Sequence, residues 1–193
     1  NVFVLQGYAG SGKTTIIKGL TEYLESAEKK YQLMAPTGRA AKILSQKTGQ
    51  KATTIHKGIY SFEDLHEIET GTEENEGSFM YYYKLRNNLE VHNSILIIDE
   101  ASMVSDTLSE GEFFRFGSGY LLNDLFEYAQ IGFQNAKTKI IFVGDPAQLP
   151  PIGMNFSPSL DKDYLQQKFV IKAETAEIKE VKRQNANNGI LIA

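Results

Sequence analysis

The chain has 193 residues, with 20 Lys and Arg against 24 Asp and Glu for a formal net charge of -4; 41% of its residues are hydrophobic and 23% charged. This length suits one domain with a sizeable core, and the composition excludes wholesale disorder and collagen-like repeats. With no cysteine, a disulfide framework and a Cys-ligated zinc site are both ruled out, and no apolar run approaches the ~20 residues of a membrane-spanning helix.

The chain opens at Asn1 and runs directly into Val2, Phe3, Val4 and Leu5, a buried-strand pattern that stops at Gly7. With no leader peptide in front of it, it reads as a cytoplasmic fragment whose natural start lies upstream. From Lys13, apolar residues at Ile16, Ile17, Leu20, Tyr23, Leu24 and Ala27 trace one helical face. Residues 31–35 form a second predicted strand, halted by Pro36. A helix is expected over 39–47, closed by Gly49, and Thr54 is a good N-cap for a short helix over 55–60.

Residues 61–83 hold two extended segments around a polar turn bracketed by Gly71 and Gly77, which predicts a hairpin. Residues 95–98 are an all-apolar strand ending at Asp99. Residues 109–119, punctuated by glycines, read as a loop insertion. A helix is expected over 120–131 and a fourth strand over 139–143, broken by Gly144 and Asp145. Strands alternating with helices imply a parallel sheet with helices on both faces.

The charges are unevenly spread. Seven acids and no base stand between Ser61 and Ser78, whereas seven bases and no acid stand from Lys29 to Lys57. On charge alone, that basic block reads first as a solvated face and only second as a seat for a polyanion.

Three segments carry chemistry. Gly7-Tyr-Ala-Gly-Ser-Gly12-Lys13-Thr14 follows a predicted strand and opens a predicted helix, the context a phosphate loop requires. Gly7, Ala9, Gly10, Ser11 and Gly12 would wrap backbone N–H groups around a triphosphate, assisted by the helix N-terminus that Thr14 and Thr15 begin. Lys13 would reach the outer phosphates and the Thr14 hydroxyl would hold Mg²⁺. Asp99 and Glu100 close a buried strand at the edge where ligands of open α/β sheets gather. Two adjacent carboxylates there suit a division of labour, Asp99 coordinating Mg²⁺ and Glu100 polarising the water that attacks the γ-phosphate. Gly144-Asp145-Pro146-Ala147-Gln148 follows the fourth strand. Its Gln148 could meet a γ-phosphate or its attacking water, or the segment is a Pro-rich turn without a role.

The order of these segments, together with Ala35-Pro-Thr-Gly-Arg-Ala-Ala41, Thr53-Thr-Ile-His56 and Glu180-Val-Lys-Arg-Gln184, resembles the first motor domain of superfamily-one DNA helicases of the RecD-like and phage Dda-like branch. The resemblance spans nearly the whole chain. It implies a P-loop NTPase fold with a RecA-like α/β core over residues 1–60 and 94–193, and a small inserted hairpin subdomain over 61–93. It implies ATP and Mg²⁺ as cofactors, Gln148 as γ-phosphate sensor and Arg183 as the arginine that neutralises charge during transfer. It also assigns Pro36, Thr37, Gly38, Arg39, Thr54 and His56 to single-stranded DNA; a histidine such as His56, taken alone, is more often one that caps or packs. Such helicases carry a Gln segment upstream of the first strand and a second RecA-like domain, neither of which this sequence contains.

The function implied is an ATP-dependent DNA helicase moving 5′ to 3′. A phosphate-loop kinase would share Lys13 and Thr14, and a non-catalytic module would keep nucleotide only as a structural ligand. In related helicases the hairpin carries a strand-separating pin. Here Phe79, Tyr81 and Tyr83 alternate onto one face and Met80 and Tyr82 onto the other, so one set at most reaches DNA and the rest packs.

Overall fold

Val2–Gly7 (β1) lies inside a six-stranded sheet whose neighbours are parallel throughout, in the order Ala52–Thr54, Tyr31–Ala35, Ile95–Ile98, Lys139–Gly144, β1, Ala173–Ile178. The computed structural model of the protein describes residues 1–70, 78–86, 93–109, 111, 113–133 and 137–179. The elements follow as Lys13–Ser26 (α1), Tyr31–Ala35 (β2), Gly38–Thr48 (α2), Ala52–Thr54 (β3), Ile55–Ile59 (α3), Tyr60–Thr70 (β4), Ser78–Leu85 (β5), Ile95–Ile98 (β6), Phe114–Phe116 (β7), Leu121–Tyr128 (α4), Lys139–Gly144 (β8), Lys162–Phe169 (α5) and Ala173–Ile178 (β9).

The central strands are apolar on both faces because helices cover both. Alternation along β6 sends Leu96 and Ile98 to one side and Ile97 to the other. Leu96 and Ile98 pack with Ile55 and Ile59 of α3, Leu122 and Leu125 of α4 and Leu165 of α5. Ile97 packs with Ile17 and Leu24 of α1 and Leu44 of α2. Each fully buried Ile or Leu contributes about 1.5–3 kcal/mol of transfer free energy, so these two layers hold the sheet together. From β1 the chain crosses to β2 on the side where β6 and β8 also lie, whereas β9 pairs with β1 on its other side. The carboxyl end of β1 is therefore a topological switch point, the position where α/β sheets hold ligands.

A second, three-stranded sheet, β4-β5-β7, is inserted between β3 and β8. β4 and β5 are antiparallel, with Leu65 opposite Tyr83 and Thr70 opposite Ser78, the hairpin expected of residues 61–83. The turn that joins them lies outside the described residues. Residues 109–119 differ from the loop reading: β7 within them pairs parallel with β5, Tyr81 against Phe114 and Tyr83 against Phe116. Three aromatic-rich residues between glycines were short enough to pass for a loop.

The helix expected over 120–131 ends at Tyr128, because Gln130 takes φ +54 and turns its N–H back to Glu127 O. β3, β9 and α5 go beyond the expected elements. β3 has three residues and β9 alternates Glu with small side chains at an exposed edge, so neither carries an apolar run. α5 did carry a signal, since Asp161 Oδ1 accepts from the N–H groups of Asp163 and Tyr164 as an N-cap. Among the described residues, no helix is long and apolar enough to cross a membrane.

Candidate functional site

The turn from β1 to α1 builds a cradle from backbone. Gly12 caps α1 at φ +92, a left-handed conformation that side chains resist, and contributes no side-chain cap. The first N–H groups of α1 are thus left for a ligand at the positive end of a 14-residue helix. A Cβ on Gly7 would come within 2.6 Å of Ser11 Oγ, so only glycine lets the loop close as it does. Ser11 Oγ is buried with no hydrogen-bond partner among the described residues. Lys13 is almost fully buried, and its Nζ donates to Gly7 O at 2.6 Å and Tyr8 O at 3.1 Å. These features fit a bound triphosphate: unsatisfied donors, an orphaned hydroxyl and a lysine at the loop's centre.

Facing the loop, β6 delivers Asp99, whose N–H is held by Met34 O at 2.9 Å. Burial, reinforced by Glu100, pushes the Asp99 carboxyl up to about 6, against the opposing pull of Lys13 and Lys47. Glu100 adopts φ +52 and opens a 3₁₀ turn over Ala101–Met103. A non-glycine residue held left-handed stores strain, which aims the two consecutive carboxylates differently. Within that turn, Ser102 is fully buried and its Oγ donates to Gln148 Oε1 at 3.4 Å, which ties the loop after β8 to the Asp99–Glu100 turn. Asp145 is buried and clips its own loop, accepting from Ala147 N–H at 3.0 Å.

Together these elements line one open cleft of about 1160 Å³, which brings Ala9, Gly10, Ser11, Gly12, Lys13, Thr14 and Thr15 against Asp99, Glu100 and Gln148. Gly7 supports the loop from below without lining the cleft. Sequence reasoning missed four charged lining residues: Lys18, Lys47, Glu177 and Lys179. The last two come with β9, which the apolar pattern did not reveal. Arg183 lies outside the described residues.

The residues matched to DNA contacts form a neighbouring group that does not line this cleft. Ala35 of β2 is opposite Thr54 of β3, so residues 36–39 and 54–56 leave the same edge of the sheet side by side. Thr37 Oγ1 accepts from Ala40 N–H and caps α2; Thr54 Oγ1 accepts from Lys57 N–H and caps α3. Thr37, Gly38 and Arg39 are exposed, and Pro36 is partly so. His56 packs edge-on to Phe116 at 5.1 Å and beside Tyr60 at 5.6 Å. Its burial lowers the imidazole pKa, with Asp124 opposing, which favours the neutral ring.

Comparison with known proteins agrees with this architecture. The AAA domain family model matches residues 1–114. The ATP-dependent RecD2 DNA helicase of Deinococcus radiodurans is 29% identical over 98% of this chain, and the RecD subunit of the RecBCD enzyme of Buchnera aphidicola is 32% identical over 79% of it. The chain spans 21% and 23% of those two relatives, a small part of each. Among solved structures, a Pif1 helicase from Candida albicans has a TM-score of 0.56 at 20% identity, covering 99% of this chain and 38% of that one. A Bacteroides Pif1 helicase, solved with ADP-AlF3 and single-stranded DNA, has a TM-score of 0.53 at 24% identity, covering 100% of this chain and 41% of that one. With a family match over more than half its length and a parallel phosphate-loop core, the chain belongs to the AAA domain family, and it is similar to RecD proteins in sequence and to Pif1 helicases in fold.

Proposed function

We propose that the chain is the ATP-binding motor domain of a cytoplasmic DNA helicase that travels 5′ to 3′ along single-stranded DNA. The observation that carries this reading is the cleft holding the phosphate loop, Asp99, Glu100 and Gln148, adjoined at the same sheet edge by the exposed residues 37–39 and the half-buried Thr54 and His56. In this reading residues 1–60 and 94–193 are the motor core and 61–93 an inserted subdomain that is a candidate pin, with β7 adding its strand to the sheet of the insertion. The relatives' much greater length supports a second RecA-like domain elsewhere in the same polypeptide.

In this reading the loop N–H groups and Lys13 bind the phosphates, with Lys13 exchanging its carbonyl partners for phosphate oxygens. Thr14 and Asp99 would hold Mg²⁺, which when bound neutralises phosphate charge. Glu100 accepts the proton of the attacking water. Gln148, tethered through Ser102, reports on the terminal phosphate to the turn that carries Glu100. Arg183 supplies positive charge during transfer, a contribution worth roughly 10³–10⁵ in rate for arginine fingers. Pro36, Thr37, Gly38, Arg39, Thr54 and His56 grip the backbone of single-stranded DNA.

The test is ATP hydrolysis by the full-length polypeptide with and without a single-stranded oligonucleotide. Hydrolysis should rise with DNA, and Glu100→Gln should lower it by about 10² or more, the scale of a lost general base, while Mg-ATP binding persists. Phosphate transfer to a small acceptor without DNA stimulation would make it a kinase. Binding with no turnover in any condition would leave a nucleotide-dependent DNA-binding module.

A further inference from the structure

The cleft contains three cations that the phosphate-loop pattern does not account for; Lys18 pairs with Glu22 at 3.9 Å and Lys179 follows β9, which leaves Lys47. Lys47 stands in the last turn of α2 and lines the cleft together with Asp99 and Glu100. It is exposed, and an exposed lysine is ordinarily a solvated one. One observation sets it apart. Among the described residues, neither Lys47 nor either carboxylate is engaged in an ion pair, so its ammonium is not committed elsewhere. Lys13 sits at the loop's centre, bonded to Gly7 O and Tyr8 O, and one lysine cannot flank a triphosphate from both sides.

The placement follows from the fold. α2 has 11 residues, about 16 Å at 1.5 Å per residue. Its first turn carries Gly38 and Arg39 behind the Thr37 cap. Its apolar face, Ala41 and Leu44, is buried against the sheet, with Leu44 in the same layer as Ile17 of α1. That anchorage fixes which side of α2 faces the phosphate loop, and a helical side chain leans toward the N-terminus of its helix, here toward the carboxyl edge of the sheet.

We propose that Lys47 is a further cation of the nucleotide site, compensating the terminal phosphate beside Asp99 and Glu100. This inference rests on the ATP-site reading above. A flexible, strongly hydrated ammonium at a cleft rim adds charge without fixed geometry. Its effect therefore tracks the charge in front of it, larger for a triphosphate than for a diphosphate, and it is weakened by salt.

The test is equilibrium titration of the 193-residue chain with Mg-ATPγS and with Mg-ADP. Lys47→Ala should weaken Mg-ATPγS by about three- to fivefold, the upper range for a solvent-screened ion pair, and Mg-ADP by less than about twofold. Lys47→Arg should retain most of the affinity, and the Lys47→Ala effect should shrink in 0.5 M salt. Lys42→Ala, exposed on the same helix but not lining the cleft, should bind both nucleotides as the parent does. Unchanged Mg-ATPγS affinity in a folded Lys47→Ala chain would overturn the role of Lys47, and equal weakening of both nucleotides would overturn its placement at the terminal phosphate. A parent chain that bound neither nucleotide would overturn the site reading itself, whereas a parent that bound both with Lys13→Ala binding neither would uphold it independently of Lys47.

Discussion

Tyr60 Oη donates a 2.6 Å hydrogen bond to Asp124 Oδ2, and both side chains are 1% exposed. The pair joins the start of β4 to α4, and Ser118 N–H adds a donor to both carboxylate oxygens at 3.1 Å. Tyr60 also touches His56 and Phe116, so one buried bond fixes the inserted sheet, α4 and a candidate DNA-contacting segment to one another. Gly117 is part of the same device: at φ +49 its Cβ would stand 2.1 Å from Asp124 Oδ2.

Tyr60→Phe keeps the ring and its contacts but leaves Asp124 with backbone donors only. A buried acceptor that loses one partner costs about 1–3 kcal/mol, and urea unfolding should show a loss of that size. Gly117→Ala should cost at least as much, since both the clash and the positive φ act against it. Unaltered stability in Tyr60→Phe would mean that the bond contributes nothing to the folded state.

Asp99 supplies a pH-dependent prediction. Its carboxyl is raised from 3.8 to about 6, chiefly by burial and then by Glu100. The folded state therefore holds this proton more tightly than the unfolded one. The group favours folding as pH falls from about 6 toward 4, and the cost of its ionisation is present in full above 6. Asp99→Asn removes this dependence, so the parent should gain stability relative to the variant as pH drops from 7 to 5. Mg²⁺ favours the ionised form, so a stabilising effect of Mg²⁺ at pH 7 should fade at pH 5 in the parent. Parallel stability curves for parent and variant would contradict the raised pKa.

Along β5, Tyr81, Tyr82 and Tyr83 are all half-buried, and the inserted sheet separates stacked rings from an unstacked one. Tyr83 stacks on Phe116 at 4.7 Å and 11°, Tyr81 on Phe114 at 5.6 Å, and Phe62 leans on Tyr83 at 5.1 Å. Tyr82 points to the other face and has no ring partner among the described residues. Tyr83→Ala should therefore cost about 1 kcal/mol beyond its lost burial, and Tyr82→Ala less than half of the Tyr83 total. In the full-length polypeptide Tyr82 is then the better pin candidate of the two: Tyr82→Ala should reduce unwinding more than DNA-stimulated ATPase. Equal destabilisation by both variants would remove that distinction.

The motor core was legible because its signals are local. An all-apolar run such as Ile95 to Ile98 is a buried parallel strand almost by necessity, and a phosphate loop is readable only between a strand and a helix. What escaped was set by tertiary partners. β9 is Ala-Glu-Thr-Ala-Glu-Ile, a polar sequence that becomes a strand by pairing with β1, with Gly7 opposite Ile178. Glu177 and Lys179 reached the cleft by the same route. Lys47 looked like one more base in a basic block, since spacing along α2 cannot say which flank meets the phosphate loop. Thr37 and Thr54 illustrate the converse: both were matched to DNA, and both hydroxyls already serve as helix caps.

That double duty decides how DNA contact is best tested. Thr37→Ala or Thr54→Ala would remove an N-cap, at about 0.5–2 kcal/mol, together with any DNA contact. Arg39 is exposed in the first turn of α2 and caps nothing, so its loss reports on binding alone. Arg39→Ala should weaken single-stranded oligothymidylate binding while leaving the unfolding midpoint within about 0.5 kcal/mol of the parent. If Arg39 neutralises one phosphate, the slope of log affinity against log salt should become shallower by about 0.7, the single-strand increment. A variant that loses affinity with no change in slope would place Arg39 on a base or sugar instead. Unchanged affinity and slope would take residues 36–39 out of the DNA interface altogether.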